Sequence, residues 1–325
     1  MSIEKKPLVN DLYTADPSAH VFNGKIYIYP SHDEDIDVEN NDNGDQYDMK
    51  DYHVYEMPDT ETYPRDCGCV LKLEDIPWAS KQLWAPDCVE KDGKYYFVFP
   101  ARDKEGFFRI GIATSDKPEG PFKAEPNYIP GSYSIDPCMF PDTDGKYYLT
   151  FGGIWGGQLD QYRNNKWSAD NKEPQGDELA CTAKIALMKD NLLEMAEEPK
   201  DIMILDENGK PLTGGDEARR YFEDPWMFKK GDTYYFTYST GTTHLLCYAT
   251  SKSVYGPFTY GGVILTPVLG WTTHHSILEY NGKWYLFYHD CERSGGINQK
   301  RNVKFRELKF NDDGSIQTMD GSLDK

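Results

Sequence analysis

The chain has 325 residues, and its 35 lysine and arginine residues against 54 aspartate and glutamate residues give a formal net charge of −19. A surface this acidic repels nucleic acids and anionic membranes, so we expect neither as a partner, and it disfavours an anionic substrate. Aromatic residues make up 14 % of the chain. Those that do not pack in a core suit an uncharged sugar, whose faces stack on aromatic rings.

Targeting signals and disulfides are not apparent. Residues 1–20 carry charges but no apolar stretch and no small-residue cleavage site, and no run of eighteen apolar residues follows. The seven cysteines are odd in number and dispersed, which is typical of reduced thiols in a cytoplasmic protein. Cys67 and Cys69 are too close together for the usual zinc pair. We therefore expect a cytoplasmic protein without a membrane span.

Five copies of one hairpin pattern run along the chain. Each copy has an apolar strand, a tight turn around a glycine, and a second strand of alternating aromatic residues. The turn glycines are Gly24, Gly93, Gly145, Gly231 and Gly282. Their irregular spacing suits blades of about four strands with loop insertions. We predict an all-β fold, a five-bladed β-propeller in a single domain over residues 1–325, with blades at roughly 10–310 and a polar C-terminal tail at 311–325.

Two segments interrupt the repeats. An acidic insertion runs from Asp33 to Asp51; it lacks the closing glutamate of an EF-hand loop, because Lys50 falls at that position. We interpret it as a solvated loop over one face of the propeller, whose start at Asp33 could wall one side of a pocket. The segment from Trp155 to Gly215 is interpreted as an extended blade connection, with some helical character near residues 183–196.

The register of the hairpins points to one group of residues. Counting back from the turn glycine, Asp16, Glu223 and His274 each lie eight residues away, and Asp136 lies nine away because its turn is longer. The innermost strands of a propeller run along its central channel. Equivalent positions on different blades therefore converge, and we expect three carboxylates and a histidine at one mouth of the channel. Trp84 lies in the corresponding part of the second blade.

Such a set of acids suits the cleavage of a glycosidic bond. That reaction needs one carboxylic acid to protonate the leaving oxygen and one carboxylate to activate water or to attack the sugar. A third acid can raise the pKa of the proton donor. The simpler interpretations are that these acids are turn residues before prolines, or charges on the axis that bind a cation. Trp84 is either a core residue or a platform on which a sugar stacks.

The same residues resemble glycoside hydrolase family 43. The motifs that carry the resemblance are Thr14-Ala-Asp16-Pro-Ser-Ala-His20, Trp84-Ala-Pro-Asp87, Ser134-Ile-Asp136-Pro, Phe222-Glu223-Asp-Pro225, Thr273-His274-His275-Ser276 and Trp284-Tyr-Leu-Phe-Tyr-His289. The resemblance implies a five-bladed propeller and hydrolysis with inversion. It assigns the general base to Asp16, the pKa-tuning acid to Asp136 and the general acid to Glu223. It also implies a hydrated divalent cation, often Ca²⁺ in this family, at His274, and a sugar contact from Arg301.

The two adjacent histidines are alternatives for the cation. If both lie in one strand, their side chains point to opposite faces, so only one of them can face the central axis. The register favours His274 over His275. Calcium prefers oxygen ligands, and a strand histidine can equally be structural.

We expect an inverting exo-glycosidase that releases xylose and/or arabinose from xylo-oligosaccharides or arabinosylated xylan fragments. The substrate contacts would come from Asp33, Trp84 and Arg301. An endo-arabinanase on the same fold and a non-catalytic carbohydrate-binding propeller remain alternatives. We see no C-terminal β-sandwich of the kind that completes the pocket in some family xylosidases, so the acidic insertion or a neighbouring subunit should supply that wall. The sequence does not fix the oligomeric state.

Overall fold

The computed structural model describes residues 2–36, 38–271 and 274–324. Thr273, which belongs to one of the motifs above, lies outside these ranges. The described chain is almost entirely β-structure with short 3-10 helices, and it forms the predicted five-bladed β-propeller. Within the described ranges, no helix has the length and apolar character needed to cross a membrane.

The first two blades occupy the N-terminal third of the chain. Blade I pairs, in this order, β1 (Tyr13–Phe22), β2 (Lys25–Asp33), β3 (Asp51–Met57) and β4 (Arg65–Lys72). Blade II contains β5 (Ala79–Lys81), β6 (Asp87–Lys91), β7 (Lys94–Asp103), β8 (Phe108–Ser115) and β9 (Lys123–Ala124).

The remaining three blades complete the ring. Blade III contains β10 (Cys138–Pro141) and β11 (Tyr147–Phe151), then, after a small separate hairpin of β12 (Tyr162–Arg163) and β13 (Lys166–Trp167), the strands β14 (Lys184–Leu187) and β15 (Lys200–Asp201). Blade IV contains β16 (Ile204–Leu205), β17 (Glu223–Lys230), β18 (Thr233–Ser239), β19 (Leu246–Ser251) and β20 (Phe258–Leu265). Blade V contains β21 (His275–Tyr280), β22 (Lys283–Asp290) and β23 (Asn302–Leu308). The 3-10 helices are Leu73–Asp75, Trp155–Gly157, Leu159–Gln161, Gly241–Thr243, Glu292–Ser294 and Gly321–Asp324.

The predicted hairpins are confirmed. In blade I, Phe22 pairs with Lys25, so the turn consists of Asn23 and Gly24, with φ values of 53° and 78°. Two successive positive φ angles are what a two-residue hairpin turn requires, and glycine adopts them without steric cost. The inner strand of each blade, β1, β6, β10, β17 and β21, contacts the inner strands of its two neighbours and so forms a ring.

The N-terminal segment closes this ring. The backbone N–H of Lys5 donates to the carbonyl of Phe305, and the N–H of Leu8 donates to the carbonyl of Val303, so the start of the chain lies along β23 of blade V. Because these bonds join the first and last parts of the chain, closure leaves no blade edge unpaired at this point.

Aromatic side chains fill the spaces between blades. Tyr52 of blade I and Phe97 of blade II are both fully buried, and their ring centroids lie 4.9 Å apart in an edge-to-face arrangement. Aromatic pairs of this geometry contribute about 0.5–1.5 kcal/mol beyond the area that they bury. The high tyrosine and phenylalanine content is therefore explained largely by packing between blades.

Two expectations need correction. Residues 183–196, predicted to have some helical character, contain strand β14. Ile185 and Ala186 of this strand pair with β11 and are buried within blade III. Tertiary pairing here overrides a local helical spacing. The C-terminal segment 311–325, expected to be a polar tail, contains the buried residues Ile316 and Met319, which pack against blade IV.

Candidate active site

A cavity of about 280 Å³ opens where the inner strands begin. The carboxyl groups of Asp16, Asp136 and Glu223 all line it, and so does His274. Asp16 is in β1, Asp136 precedes β10, Glu223 begins β17 and His274 precedes β21. Residues 51 to 258 positions apart in the sequence therefore meet around one space, as the convergence of inner strands predicts.

The register that led to these residues needs one adjustment. Three Asp-Pro pairs share a left-handed aspartate, with φ of 49° at Asp16, 56° at Asp136 and 63° at Asp224. Asp224, and not Glu223, is thus the structural equivalent of Asp16. The count from the glycine was one residue out because Gly231 is the first residue of its turn, whereas Gly24 is the second. Glu223 still reaches the cavity from the preceding position.

Asp16 is held as a carboxylate. Its Oδ1 lies 2.9 Å from Nη1 of Arg301, its Oδ2 accepts a hydrogen bond from the hydroxyl of Ser31, and its backbone N–H donates to Nδ1 of His289 at 3.0 Å. Burial alone would raise the pKa of Asp16, but the charge of Arg301 and, less strongly, the nearby histidines and Ser31 lower it to about 2. Asp16 is therefore ionised at neutral pH.

Arg301 is positioned by Asp33. The two carboxylate oxygens of Asp33 accept hydrogen bonds from Nε and Nη2 of Arg301 at 2.8 and 2.7 Å, which is the bidentate arrangement that fixes a guanidinium. Asp33 is 3 % exposed and lies behind Arg301, outside the cavity lining, whereas Arg301 itself lines the cavity. The expectation of a direct sugar contact from Asp33 is thus replaced by a contact that orients Arg301.

The pKa values of the other two acids, Glu223 and Asp136, are raised. Burial, together with the charge of Asp16, raises the pKa of Glu223 to about 8, although Arg301 opposes this. Burial and the charges of Glu223 and Asp16 raise the pKa of Asp136 well above its usual value. Glu223 and Asp136 therefore influence each other's protonation and titrate as a pair. Of these three acids, Asp16 is ionised at neutral pH, whereas Glu223 and Asp136 favour the protonated form.

The two histidines share one carboxylate. Nε2 of His274 lies 2.9 Å from Oδ1 of Asp224, while Nδ1 and the backbone N–H of His275 bind Oδ2 of the same residue. The strand β21 begins at His275, so His274 directly precedes it. His275 is 1 % exposed and its Nε2 contacts Thr237 at 2.7 Å, so His274 alone of the pair lines the cavity.

The donors around His274 fit a hydrated cation. Burial lowers the pKa of His274 to about 4, so the ring is neutral, and Nε2–H donates to Asp224. The unprotonated Nδ1 faces Oδ1 of Asp16 at 3.8 Å and Oδ2 of Asp136 at 3.9 Å, too far for direct hydrogen bonds. A histidine that donates one N–H to a carboxylate and presents its other nitrogen is typical of metal ligands. Oxygen atoms of water would complete the shell that calcium prefers.

The acidic insertion forms one wall of the cavity. Residues 40–49 of this loop include seven that line the cavity, and Trp84 of blade II stands beside them. The indole N–H of Trp84 donates to the carbonyl of Tyr47 at 2.8 Å, and Nη2 of Arg102 donates to the carbonyl of Asn43 at 3.1 Å. Blade II therefore anchors the loop, and this chain supplies the wall for which a neighbouring subunit was the alternative.

A comparison with known protein families agrees with this geometry. The model of "Glycosyl hydrolases family 43" matches residues 5–316. The chain belongs to glycosyl hydrolase family 43. It is accordingly a glycoside hydrolase, which confirms the resemblance seen in the Asp-Pro and His-His motifs.

Relatives of this family 43 enzyme match over almost their entire length. The chain is 58 % identical to "Xylosidase/arabinosidase 43A" of Humicola insolens, covering 96 % of this chain and 98 % of the relative. It is 56 % identical to "Xylosidase/arabinosidase" of Bacteroides ovatus, covering 99 % of each. A solved family 43 β-xylosidase/α-arabinofuranosidase from a compost microbial metagenome, in complex with xylotriose and in a calcium-free form, superposes with a TM-score of 0.96 at 55 % identity, covering 99 % of this chain and 98 % of that one.

Sequence reasoning missed a second, aromatic wall of the cavity. Trp155 and Trp271 both line the cavity of this family 43 enzyme and stack with centroids 6.0 Å apart and an interplanar angle of 25°. Phe222, next to Glu223, packs edge-on against Trp155 at 5.1 Å. The signal for Trp155 was its position between two glycine pairs, where the backbone approaches neighbouring segments closely; a Cβ on Gly156 would lie 3.1 Å from the carbonyl oxygen of Asp42. Trp271 gave no comparable signal.

Proposed function

We propose that this protein is an inverting exo-glycosidase that releases xylose and/or arabinose from xylo-oligosaccharides or arabinosylated xylan fragments. One observation carries the proposal: the pKa of Asp16 is lowered to about 2 while that of Glu223, in the same cavity, is raised to about 8. Two carboxyl groups whose surroundings displace their pKa values in opposite directions supply a base and an acid at the same pH. The relatives, which are named as xylosidases/arabinosidases, support a pentose as the sugar.

Asp16 is the general base and Glu223 the general acid. Asp16, ionised at neutral pH, accepts a proton from the water that attacks the anomeric carbon. Glu223, still protonated, donates its proton to the oxygen that leaves with the rest of the chain. Inversion requires these two events on opposite faces of the sugar, with room for the water between them.

Asp136 and Arg301 support these two residues. Asp136 interacts electrostatically with Glu223, so that the pair retains a proton to higher pH than an isolated carboxyl group would. Oδ2 of Asp136 also accepts the backbone N–H of Asp224 at 3.0 Å, which fixes its orientation. Arg301 keeps Asp16 ionised and, from its place in the cavity lining, can bind a sugar hydroxyl. Trp84 and Trp155, which both line the cavity, offer apolar ring surfaces to the sugar.

The shape of the cavity favours an exo-acting enzyme over an endo-arabinanase. The insertion forms one side and the stacked Trp155 and Trp271 form another, and a volume of about 280 Å³ is at the low end of the range for ligand pockets. A cavity of this small volume, walled on two sides, suits the terminal sugar of a chain. An endo enzyme would need a groove open at both ends.

His274, with Asp224 behind it, would hold the divalent cation, most simply Ca²⁺. A cation at this place would supply positive charge next to the acidic cavity and so stabilise the ionised form of Asp16. The fit rests on the neutral ring, whose Nδ1 faces the carboxylate of Asp16 and the carboxyl group of Asp136.

Chromogenic pentosides test the proposal. The wild-type protein should hydrolyse nitrophenyl β-xyloside, nitrophenyl α-L-arabinofuranoside, or both, and should release monomers alone from linear arabinan or xylo-oligosaccharides. Asp16→Asn and Glu223→Gln should each lose at least about 100-fold in kcat, since general acid–base catalysis contributes that much. Asp232→Asn, in the exposed turn of blade IV, is the matched control. Mixed oligomers would favour an endo enzyme, and no hydrolysis of any pentoside would refute the proposal.

A further inference from the structure

A second group of potential metal ligands lies on blade I, outside the cavity lining. His32, Asp51 and His53 each offer a ligand atom, and these atoms all lie within 4.8 Å of one another. Nδ1 of His32 lies 2.7 Å from Oδ1 of Asp51, and the rings of His32 and His53 meet edge-to-face with centroids 5.6 Å apart. All three side chains are partly exposed, so an ion could reach them from solvent.

The strand register explains why these three residues meet. Ile28 of β2 pairs with Tyr55 of β3, and continuing the same antiparallel register places His32 opposite Asp51. His53 is two residues from Asp51 in β3 and so lies on the same face of the sheet. Cross-strand and diagonal neighbours on one face come within reach of long side chains. The grouping is therefore fixed by the backbone of blade I.

We propose that His32, Asp51 and His53 bind a divalent transition-metal ion such as Zn²⁺ or Ni²⁺. Two imidazoles and one carboxylate are a ligand set that these ions favour, whereas calcium favours oxygen ligands throughout. Asp66 strengthens the assignment, because its Oδ2 lies 3.1 Å from Nδ1 of His53. A carboxylate that holds one ring nitrogen of a histidine leaves the other nitrogen available to a metal.

The ion would join the two ends of the acidic insertion. His32 immediately precedes the insertion at Asp33, and Asp51 is its last residue. The backbone pairing between β2 and β3 ends at Ile28 and Tyr55. The contact between the side chains of His32 and Asp51 therefore links the two strands beyond the last backbone pair. A metal ion at this point would close the loop at its base and reduce its conformational freedom. Since residues 40–49 of the loop line the cavity, the ion would stabilise one wall of the active site from outside.

Metal titration by calorimetry tests the site directly. Wild-type protein, freed of any affinity tag and stripped of metal, should bind one equivalent of Ni²⁺ that His53→Gln does not bind. His53 is the residue to change because it neither lines the cavity nor adjoins a residue that does. Asp66→Asn should keep the site but bind Ni²⁺ about 10–100-fold more weakly, as expected for loss of a carboxylate behind a metal ligand. His274→Gln should retain the site, which separates it from the cation beside the catalytic acids.

Proteolysis tests whether the ion stabilises the acidic insertion. With Ni²⁺ added, proteolysis within residues 34–50 should slow in the wild-type protein and in His274→Gln, but not in His53→Gln. His53→Gln should keep its circular dichroism spectrum and its metal-free hydrolysis rate, which shows that it is folded. Equal Ni²⁺ stoichiometry in His53→Gln and wild type would overturn the proposal. So would the absence of Ni²⁺ binding to wild type, which would leave the three residues as a hydrogen-bonded group.

Discussion

Nη1 of Arg301 lies 2.9 Å from Oδ1 of Asp16, and this contact joins the two ends of the propeller. Asp16 belongs to the first inner strand, whereas Arg301 directly precedes β23, the last strand of blade V. The backbone N–H of Thr14 also donates to the carbonyl of Arg301 at 3.1 Å. Closure of the ring thus brings together the proposed base, Asp16, and the guanidinium of Arg301 that keeps it ionised.

Replacing Arg301 should move the acidic limb of the pH profile. Asp16 must be ionised to act as a base, so kcat/KM is lost as the pH falls through its pKa. Without the charge of Arg301 that pKa rises, and in Arg301→Gln the acidic limb of kcat/KM should move to higher pH by about 1–3 units. The measurement is kcat/KM against pH with nitrophenyl xyloside. Arg65→Gln, an exposed arginine far along blade I, is the control; an acidic limb that stays in place in Arg301→Gln would contradict the assignment.

The basic limb should report Glu223. A general acid is active while protonated, so kcat/KM should decline as the pH rises through about 8, the pKa to which burial and the charge of Asp16 raise this group. Asp136→Asn removes a neighbouring group that can carry negative charge, and the basic limb should move to lower pH by up to about one unit. If the limb keeps its position while KM rises, Asp136 acts by binding the sugar and not by tuning Glu223.

Gly44 tests the role of the insertion wall. A Cβ at Gly44 would lie 2.5 Å from the ring of Trp84, and the residue has φ of 75°. Gly44→Ala should therefore displace the wall and raise KM several-fold, with a smaller change in kcat. Gly24→Ala is a matched control, because Gly24 has φ of 78° but open space around it; it should cost about 1 kcal/mol of stability without changing KM. Equal KM values for the two variants would argue against a role of the wall in binding.

Removal of metal tests the cation beside His274. Chelation should lower kcat, and Ca²⁺ should restore it, because the cation stabilises the charge of the neighbouring carboxylates. His274→Gln should have a low kcat that neither chelator nor Ca²⁺ alters. Unchanged turnover of the wild-type protein after complete metal removal would exclude a required ion at this site.

The fold could be predicted from the sequence because each blade repeats the same hairpin pattern. A two-residue turn such as Asn23-Gly24 dictates its own backbone conformation, and the aromatic alternation fixes which face is buried. Strand β14 was missed because its pairing with β11 is decided by tertiary contacts, which the local sequence around Ile185 does not encode.

The register of the repeats predicted the part of the site that the inner strands carry. Asp16 and Asp136 were found because they occupy equivalent positions before a proline, although Asp224 proved to be the third member and Glu223 its neighbour. Trp271 comes from a connection without a repeat, so no register could place it. The bidentate contact between Asp33 and Arg301 joins residues 268 positions apart, so neither segment alone could predict it.

The anomeric form of the first sugar released is the most direct test of the account. Asp16 is proposed to activate water and not to attack the sugar itself, so the reaction should invert the configuration at the anomeric carbon. Proton NMR of a β-xyloside during its first minutes of hydrolysis, before mutarotation, should therefore show α-xylose appearing first. If β-xylose appears first, the reaction retains configuration, and the roles assigned to Asp16 and Glu223 are wrong.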